Sequence, residues 1–137
     1  MAAISITAAN VVKGADATVV QTNLAGETVT AGQALYLKES DTRWWLSQSD
    51  GTEAEAAVRG VALNGASAGQ PLAVQTLGEI TIGGTVAVGT FYAVGRTAGA
   101  IVPVSDLANP DRVSLVGYGK TAAILVLKPT ATGVSIP

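Results

Sequence analysis

The carboxylates come closest to catalytic chemistry in this sequence, because the chain has no histidine and no cysteine. The commonest general base, zinc ligands and activated nucleophile are therefore missing. The carboxylates that could pair as acid and base fall in predicted turns or loops: Glu27, Glu39, Asp41, Asp50, Glu53, Glu55, Glu79, Asp106 and Asp111. Loops are solvated, so we interpret these groups as surface charges. The sequence predicts no enzyme activity, no catalytic residue and no cofactor or metal site.

Trp44 and Trp45 are the other residues whose type suggests a role. Neighbouring residues on a strand point to opposite faces of a sheet. One ring can therefore fill the core, while the other must face solvent or lie in an interface. Aromatic side chains are enriched at interfaces and also cover surfaces singly, so both tryptophans are candidate contact residues.

Composition excludes several classes of partner. The net charge is -2 and the eight basic residues are scattered, whereas nucleic-acid binding needs a concentrated basic patch. No segment approaches the roughly 18 apolar residues of a membrane span. The start of the chain lacks the basic region and continuous apolar core of a signal peptide. We expect a protein that binds neither nucleic acid nor membrane and that is made and used without export.

The elements that must position these residues are organised around a repeated unit. A Gly-x-Thr-Val-x-x-Gly segment at 26–32 recurs at 83–89 with an offset of 57 residues, and 36–50 recurs as 92–106 with an offset of 56. Glycine permits positive φ, and polar or glycine-rich turns separate short apolar runs, so each unit predicts short strands with tight corners. A fixed period indicates an internal duplication of residues 26–50 and 83–106.

The whole chain is predicted to be all-β, a compact barrel or sandwich of short strands in one domain. Residues 1–25 are interpreted as an N-terminal arm or a first hairpin, 26–127 as the β domain, and 128–137 as an extended C-terminal tail. Residues 51–57 are the only helix-favouring run and are too few to hold a helix alone, so we expect a polar loop there with at most one turn. Residues 122–127 are apolar on both faces and are predicted to form the most buried strand.

Residues 26–35 resemble the first strand pair of lipoyl and biotinyl carrier domains, with the pattern Gly-x-x-Val-x-x-Gly-Gln-x-Leu. Those domains present a modified lysine at the tip of a hairpin, and neither Lys38 nor Lys120 occupies such a turn. The resemblance therefore implies a β-barrel corner without acyl or carboxyl chemistry.

More of the chain resembles the small head decoration, or capsid cement, proteins of tailed bacteriophages. The resemblance rests on residues 6–14, on a Gly-Val-Ala strand and Ala/Gly turn within 60–74, and on the Val-x-x-Gly corners that lead to Tyr36 and Tyr92. Such proteins bind the outside of the capsid lattice as small oligomers and reinforce it against internal genome pressure.

That resemblance implies a non-catalytic structural virion protein, made in the host cytoplasm and located on the capsid surface. Its implied partners are the major capsid protein and further copies of itself, a trimer in preference to a dimer. Terminal arms that add a strand to a neighbouring sheet would contribute backbone hydrogen bonds without a pocket. The candidate interface residues come from the two ends of the chain and from the tryptophan pair: Ile4, Ile6, Val11, Val12, Trp44, Trp45, Val134 and Ile136.

An alternative function comes from another class of protein. A phage tail-fibre, baseplate or carbohydrate-recognition β domain would use Trp44, Trp45 and Tyr92 to stack on sugar rings. Exposed aromatic rings with carboxylates nearby would favour this alternative.

Overall fold

The computed structural model describes residues 3–136. The chain is all-β, as the sequence predicts, and its strands form one curled antiparallel sheet with the shape of a half-barrel. The strands are β1 (Val12–Lys13), β2 (Thr18–Val20), β3 (Ala34–Lys38), β4 (Arg43–Leu46), β5 (Gly60–Ala62), β6 (Val74–Thr81), β7 (Phe91–Val94), β8 (Ile101–Pro103), β9 (Arg112–Gly119) and β10 (Ile124–Ser135).

One α-helix lies within residues 3–136, and it is a single turn, α1 (Glu53–Ala56). The Thr52 side chain accepts a hydrogen bond from the Glu55 N–H, and the Glu55 side chain accepts one from the Thr52 N–H. This capping box satisfies two backbone donors at the start of the helix and stabilises the single turn that the sequence allows within its predicted polar loop. No helix in this part of the chain is long and apolar enough to cross a membrane.

The sheet consists of two units with the same strand pairing. The strand order is β4-β3-β5-β6-β10-β9-β7-β8; we call β3 to β6 the first unit and β7 to β10 the second unit. In each unit the first strand pairs with the second and the third, and the third pairs with the fourth. The two fourth strands, β6 and β10, pair with each other at the centre.

The register of the two units corrects the repeat that the sequence indicates. Leu35 pairs with Leu46 in the first unit, and Tyr92 pairs with Pro103 in the second. Both positions are therefore displaced by 57 residues, and the structural counterpart of Tyr92 is Leu35 rather than Tyr36. A shift of one residue would turn every side chain of a strand to the other face. Leu35, Tyr36 and Tyr92 are all buried, so the equivalence rests on the strand pairing and not on burial.

The predicted glycine corners recur at equivalent positions. Gly32 and Gly89 have φ angles of +94° and +78°. Residues other than glycine rarely adopt such angles, because their Cβ atom clashes with the backbone. The Gly32 N–H donates to the Ala62 carbonyl, and the Gly89 N–H donates to the Gly119 carbonyl, each partner lying at the end of the third strand of its unit. The same residue type is thus required at the same place in both units.

The N-terminal segment differs from the predicted first hairpin. β1 and β2 both pair with β6 and do not pair with each other. Strands of two and three residues could form few hydrogen bonds together, whereas the eight-residue β6 gives each of them a long partner. Nearer the start of the chain, the Ile4 N–H donates to the Ile101 carbonyl of β8 at 2.9 Å. The segment therefore lies along its own sheet.

The C-terminal residues also belong to the sheet. β10 continues to Ser135, which pairs with Arg112 of β9, so most of the predicted tail is a paired strand. Pro129 lies at a register shift between Leu127 and Thr130, where a missing N–H does not interrupt the hydrogen-bond ladder. The start of β10 is buried on one face only, because Leu127 is 1% exposed while Val126 is partly exposed. The prediction of a strand buried on both faces is wrong.

Two hydrophobic clusters stabilise the half-barrel. The shared core contains side chains from both units: Ala34, Val58, Val61, Ile80, Ile82, Val86, Tyr92, Val94, Ile101, Val116, Leu125 and Leu127. The first-unit core lies on the other face of β3 to β5: Ala25, Val29, Leu35, Trp44, Ala62, Ala66, Leu72 and Val74. The first unit is therefore covered on both faces of its sheet.

Candidate binding surfaces

The eight candidate interface residues do not form one site. Ile4, Ile6 and Val11 are partly buried and pack against the shared core. Val12 and Val134 are exposed, at 57% and 61%. The three partly buried side chains contribute to the fold of this chain. Ile136 is partly exposed, so the two valines are the best exposed of the candidates from the ends of the chain.

The two exposed valines lie toward opposite ends of the sheet, Val12 on β1 and Val134 near the end of β10. Val12 pairs with Thr81, and Thr81 pairs with Ile124 at the start of β10. Val134 is ten residues further along the strand, and a strand rises about 3.3 Å per residue. The two side chains are therefore separated by roughly 30 Å along the strand direction, with β6 between β1 and β10.

Trp44 and Trp45 point to opposite faces of β4, because successive side chains of a strand alternate between the two faces of the sheet. Trp44 is 2% exposed in the first-unit core. Trp45 is partly exposed on the other face, and its indole N–H donates to Asp41 Oδ2 at 3.1 Å. Lys38 Nζ lies 4.6 Å from the centroid of the Trp45 ring, a cation–π contact. The same ring covers Gly26, where an added Cβ would overlap the indole.

These contacts remove the aromatic platform expected of a sugar-binding domain. Tyr92 is 3% exposed, and its phenolic oxygen accepts a hydrogen bond of 2.9 Å from the Ala87 N–H. Trp44 is buried, and the Trp45 ring is engaged by Lys38 and Gly26. The three rings therefore cannot stack together on a saccharide.

An exposed apolar surface lies instead on the second unit. We call it the outer face, and it consists of Phe91, Leu115, Tyr118, Val126, Lys128 and Thr130. Phe91 is 56% exposed and Tyr118 is 39% exposed, and their rings meet edge to face with centroids 6.0 Å apart. All of these residues except Val126 line a shallow concavity of about 420 Å³.

Sequence reasoning missed the outer face. The available signal was the alternation of side chains: Phe91 precedes the buried Tyr92, so it must point away from the core. Tyr118 is opposite Phe91 in the register of β7 and β9, which no local pattern reveals. The pairing of distant strands brings the two rings together.

One carboxylate is buried, contrary to the prediction that all of them are surface charges. Asp111 is 1% exposed and accepts hydrogen bonds from Ser49 Oγ at 3.0 Å, from Arg96 Nε at 2.8 Å and from the Ala108 N–H at 2.9 Å. Burial raises the pKa of Asp111, but these hydrogen bonds outweigh it and hold the pKa below its ordinary value of 3.8. The Asp111 carbonyl also accepts from the Ile136 N–H at 2.8 Å. This cluster joins the two units and the end of the chain.

The remaining charges are dispersed. Lys120 Nζ pairs with Glu79 Oε2, which raises the pKa of Lys120. Among residues 3–136, no three carboxylates lie close enough together to hold a metal ion. The most extensive exposed surface described above is the apolar outer face around Phe91 and Tyr118.

Comparisons with known proteins give no family: no family model matches this sequence, and a search of curated proteins finds no match.

Proposed function

We propose that this protein is a non-catalytic structural protein of a phage virion, which binds the outer surface of the capsid and stabilises the shell. Its partner is the major capsid protein, and it acts on the capsid surface after synthesis in the host cytoplasm. The resemblance in glycine spacing described above supports this proposal. The observation that carries it is the separation of the exposed Val12 of β1 and the exposed Val134 of β10, which lie toward opposite ends of one hydrogen-bonded sheet.

A protein that reinforces a shell must hold two places on the lattice at a constant distance. Val12 and Val134 provide apolar contacts roughly 30 Å apart. The strands that separate them are paired: β1 with β6, β6 with the start of β10, and β10 with β9 as far as Ser135. Backbone hydrogen bonds along a paired strand resist extension, so the distance between the two contacts is constant. A brace across neighbouring capsid subunits requires this geometry and requires no pocket.

The edges of the sheet support the same proposal. The Trp44 N–H of the edge strand β4 donates to the Leu24 carbonyl, and the Gly26 N–H donates to the Trp44 carbonyl. At the other edge of the sheet, the Ile4 N–H donates a hydrogen bond to the Ile101 carbonyl of β8. Covered edges protect a sheet from pairing with other chains, which a protein present in many copies on one shell requires.

The test is co-sedimentation of the purified protein with expanded and unexpanded phage capsids. We expect saturable binding to expanded shells. Val12→Asp and Val134→Asp place a charge at each proposed contact and should each weaken binding at least about tenfold, since a residue that dominates an interface contributes about 2 kcal/mol or more and tenfold is about 1.4 kcal/mol. The matched control is Leu77→Asp, because Leu77 is 49% exposed in the middle of β6.

Two results would contradict the proposal. Absence of binding to either kind of shell would exclude a decoration role. Binding that is weakened equally by all three aspartate variants would show that Val12 and Val134 contribute no more to binding than any other exposed apolar residue.

A further inference from the structure

Asn64 and Gly65 form the one Asn-Gly pair in the sequence. An asparagine in such a pair can lose its side-chain amide: the backbone nitrogen of Gly65 attacks Asn64 Cγ, the Cγ–Nδ2 bond breaks, and ammonia leaves. Water then opens the resulting five-membered ring at either of its carbonyls, which gives aspartate or isoaspartate. Glycine favours the attack, because it has no Cβ to crowd the attacking nitrogen.

The other asparagines have less reactive neighbours. Asn10 and Asn23 are followed by valine and leucine, whose side chains hinder the attack. Asn109 is followed by proline, whose nitrogen has no hydrogen to lose. Asn64 is therefore the asparagine of this chain whose neighbour best permits deamidation.

The fold holds the reactive carboxamide in place. Asn64 Oδ1 accepts a hydrogen bond of 2.7 Å from the Ala73 N–H, and Nδ2 donates to the Gly65 carbonyl at 3.0 Å and to the Pro71 carbonyl at 3.3 Å. These bonds close the β5–β6 loop, which consists of residues 63–73. The attack makes Cγ tetrahedral, so the carboxamide cannot keep all three bonds and react. The closed loop should therefore protect Asn64.

The same loop covers the first-unit core. Ala66 and Leu72 are buried in that core, and the Ala66 and Val29 backbones exchange two hydrogen bonds of 2.8 and 2.9 Å. A loop can open locally while the rest of a protein stays folded. Opening would free the Asn64 carboxamide, and the exposed Gly65 is already accessible to water.

We propose that Asn64 is a site of spontaneous deamidation that reacts when the β5–β6 loop opens, and that the modification then weakens closure of the loop. An ionised carboxylate only accepts hydrogen bonds. The product can still accept from the Ala73 N–H, but it cannot donate to the Gly65 and Pro71 carbonyls, and it places a negative charge against both oxygens. Isoaspartate also adds a backbone atom between positions 64 and 65, which displaces the loop further.

The experiment follows deamidation of the full chain at mildly alkaline pH by peptide mass mapping, in buffer and in urea. In urea we expect Asn64 to react before the other asparagines. In the folded protein Asn64 should react at least about tenfold more slowly than in urea, because the three hydrogen bonds must break first. Equal rates in buffer and in urea would overturn the proposal, as would faster reaction of another asparagine in urea.

A matched control is Gly65→Ala. Its added Cβ would meet nothing closer than 3.6 Å, and the φ angle of Gly65 lies outside the left-handed region, so the variant should fold like the wild type. The methyl group crowds the attacking nitrogen, and we expect deamidation at Asn64 in urea to slow at least about tenfold. An unchanged rate would show that the attack by the Gly65 nitrogen is not the route.

Loop opening and global unfolding are distinguished by a pair of variants. Leu72→Ala removes a buried side chain of the loop, and Leu125→Ala removes the same side chain from the shared core. We expect Leu72→Ala to accelerate deamidation of the folded protein several-fold more than Leu125→Ala does. Equal acceleration would overturn the assignment to loop opening. The wild-type comparison in buffer and urea stands even where either variant fails to fold.

The effect of the modification is measured on Asn64→Asp by hydrogen exchange. The amides of Ala66 and Ala73 should exchange faster than in the wild type, while the amides of β9 keep their wild-type rates. Unchanged exchange at both alanines would show that deamidation does not weaken closure of the loop. No capsid is present in these measurements, so their outcome is separate from that of the proposed function.

Discussion

Ser49 Oγ donates a hydrogen bond of 3.0 Å to Asp111 Oδ1, although the two residues are 62 positions apart. Ser49 follows the β3–β4 hairpin, and Asp111 immediately precedes β9. The backbone reinforces the contact, because the Arg112 N–H donates to the Ser49 carbonyl at 2.9 Å. This contact joins the two units away from the central pairing of β6 with β10.

Asp111→Asn should lower the free energy of unfolding by about 2–3 kcal/mol, since hydrogen bonds to a charged group contribute about 1.5–3 kcal/mol. The amide has one acceptor oxygen in place of two, so it cannot satisfy Ser49, Arg96 and the Ala108 N–H together. Denaturant unfolding measures the change. The control is Glu39→Gln, which removes the same charge from an exposed residue; equal losses in both variants would show that net charge, and not the cluster, is responsible.

The same cluster predicts how stability depends on pH. The pKa of Asp111 is held below 3.8 in the folded protein, so the unfolded chain binds a proton first as the pH falls. The contribution of Asp111 is therefore complete above its unfolded pKa and is lost as the pH falls through the lower folded pKa. We expect the difference in unfolding free energy between wild type and Asp111→Asn to shrink from pH 6 to pH 3. A difference that is constant across this range would contradict the assignment.

Gly117→Ala should be among the most damaging single changes in the chain. A Cβ at Gly117 would overlap the Val126 carbonyl oxygen of the neighbouring strand, and overpacking costs about 3 kcal/mol at the upper end of its usual range. Gly65→Ala is the matched control, because its added Cβ would meet nothing closer than 3.6 Å and should change stability by less than about 0.5 kcal/mol. Thermal unfolding of the two variants measures the contrast, and similar melting temperatures would refute it.

The N-terminal segment should stabilise this chain itself. Ile6 packs against the shared core, so Ile6→Ser is expected to reduce the free energy of unfolding by about 2 kcal/mol. Val12 is 57% exposed, and Val12→Ser should change the free energy of unfolding by less than about 0.5 kcal/mol. Chemical denaturation of both variants distinguishes the two positions. An unaffected Ile6→Ser variant would mean that the segment does not contribute to the core.

The local sequence pattern was sufficient to predict the all-β class of the fold and the positions of its glycine turns. Short apolar runs between turn residues predict the strands, and the repeated glycines predict Gly32 and Gly89, because only glycine adopts their positive φ at low cost. The division of Trp44 and Trp45 between two faces follows from the alternation of a strand. The terminal segments were harder to predict, since strands of two or three residues take their partner from whichever long strand is nearby.

The sequence by itself determined an all-β chain with two similar units and without histidine or cysteine chemistry. Only the tertiary structure decided that Leu35 is the counterpart of Tyr92, that Asp111 is buried, and that Ala34 is covered while Phe91 is exposed. The physical reason is that a period of two residues gives each side chain a face but does not say what packs against that face. Contacts between residues far apart in the chain determine which faces are buried.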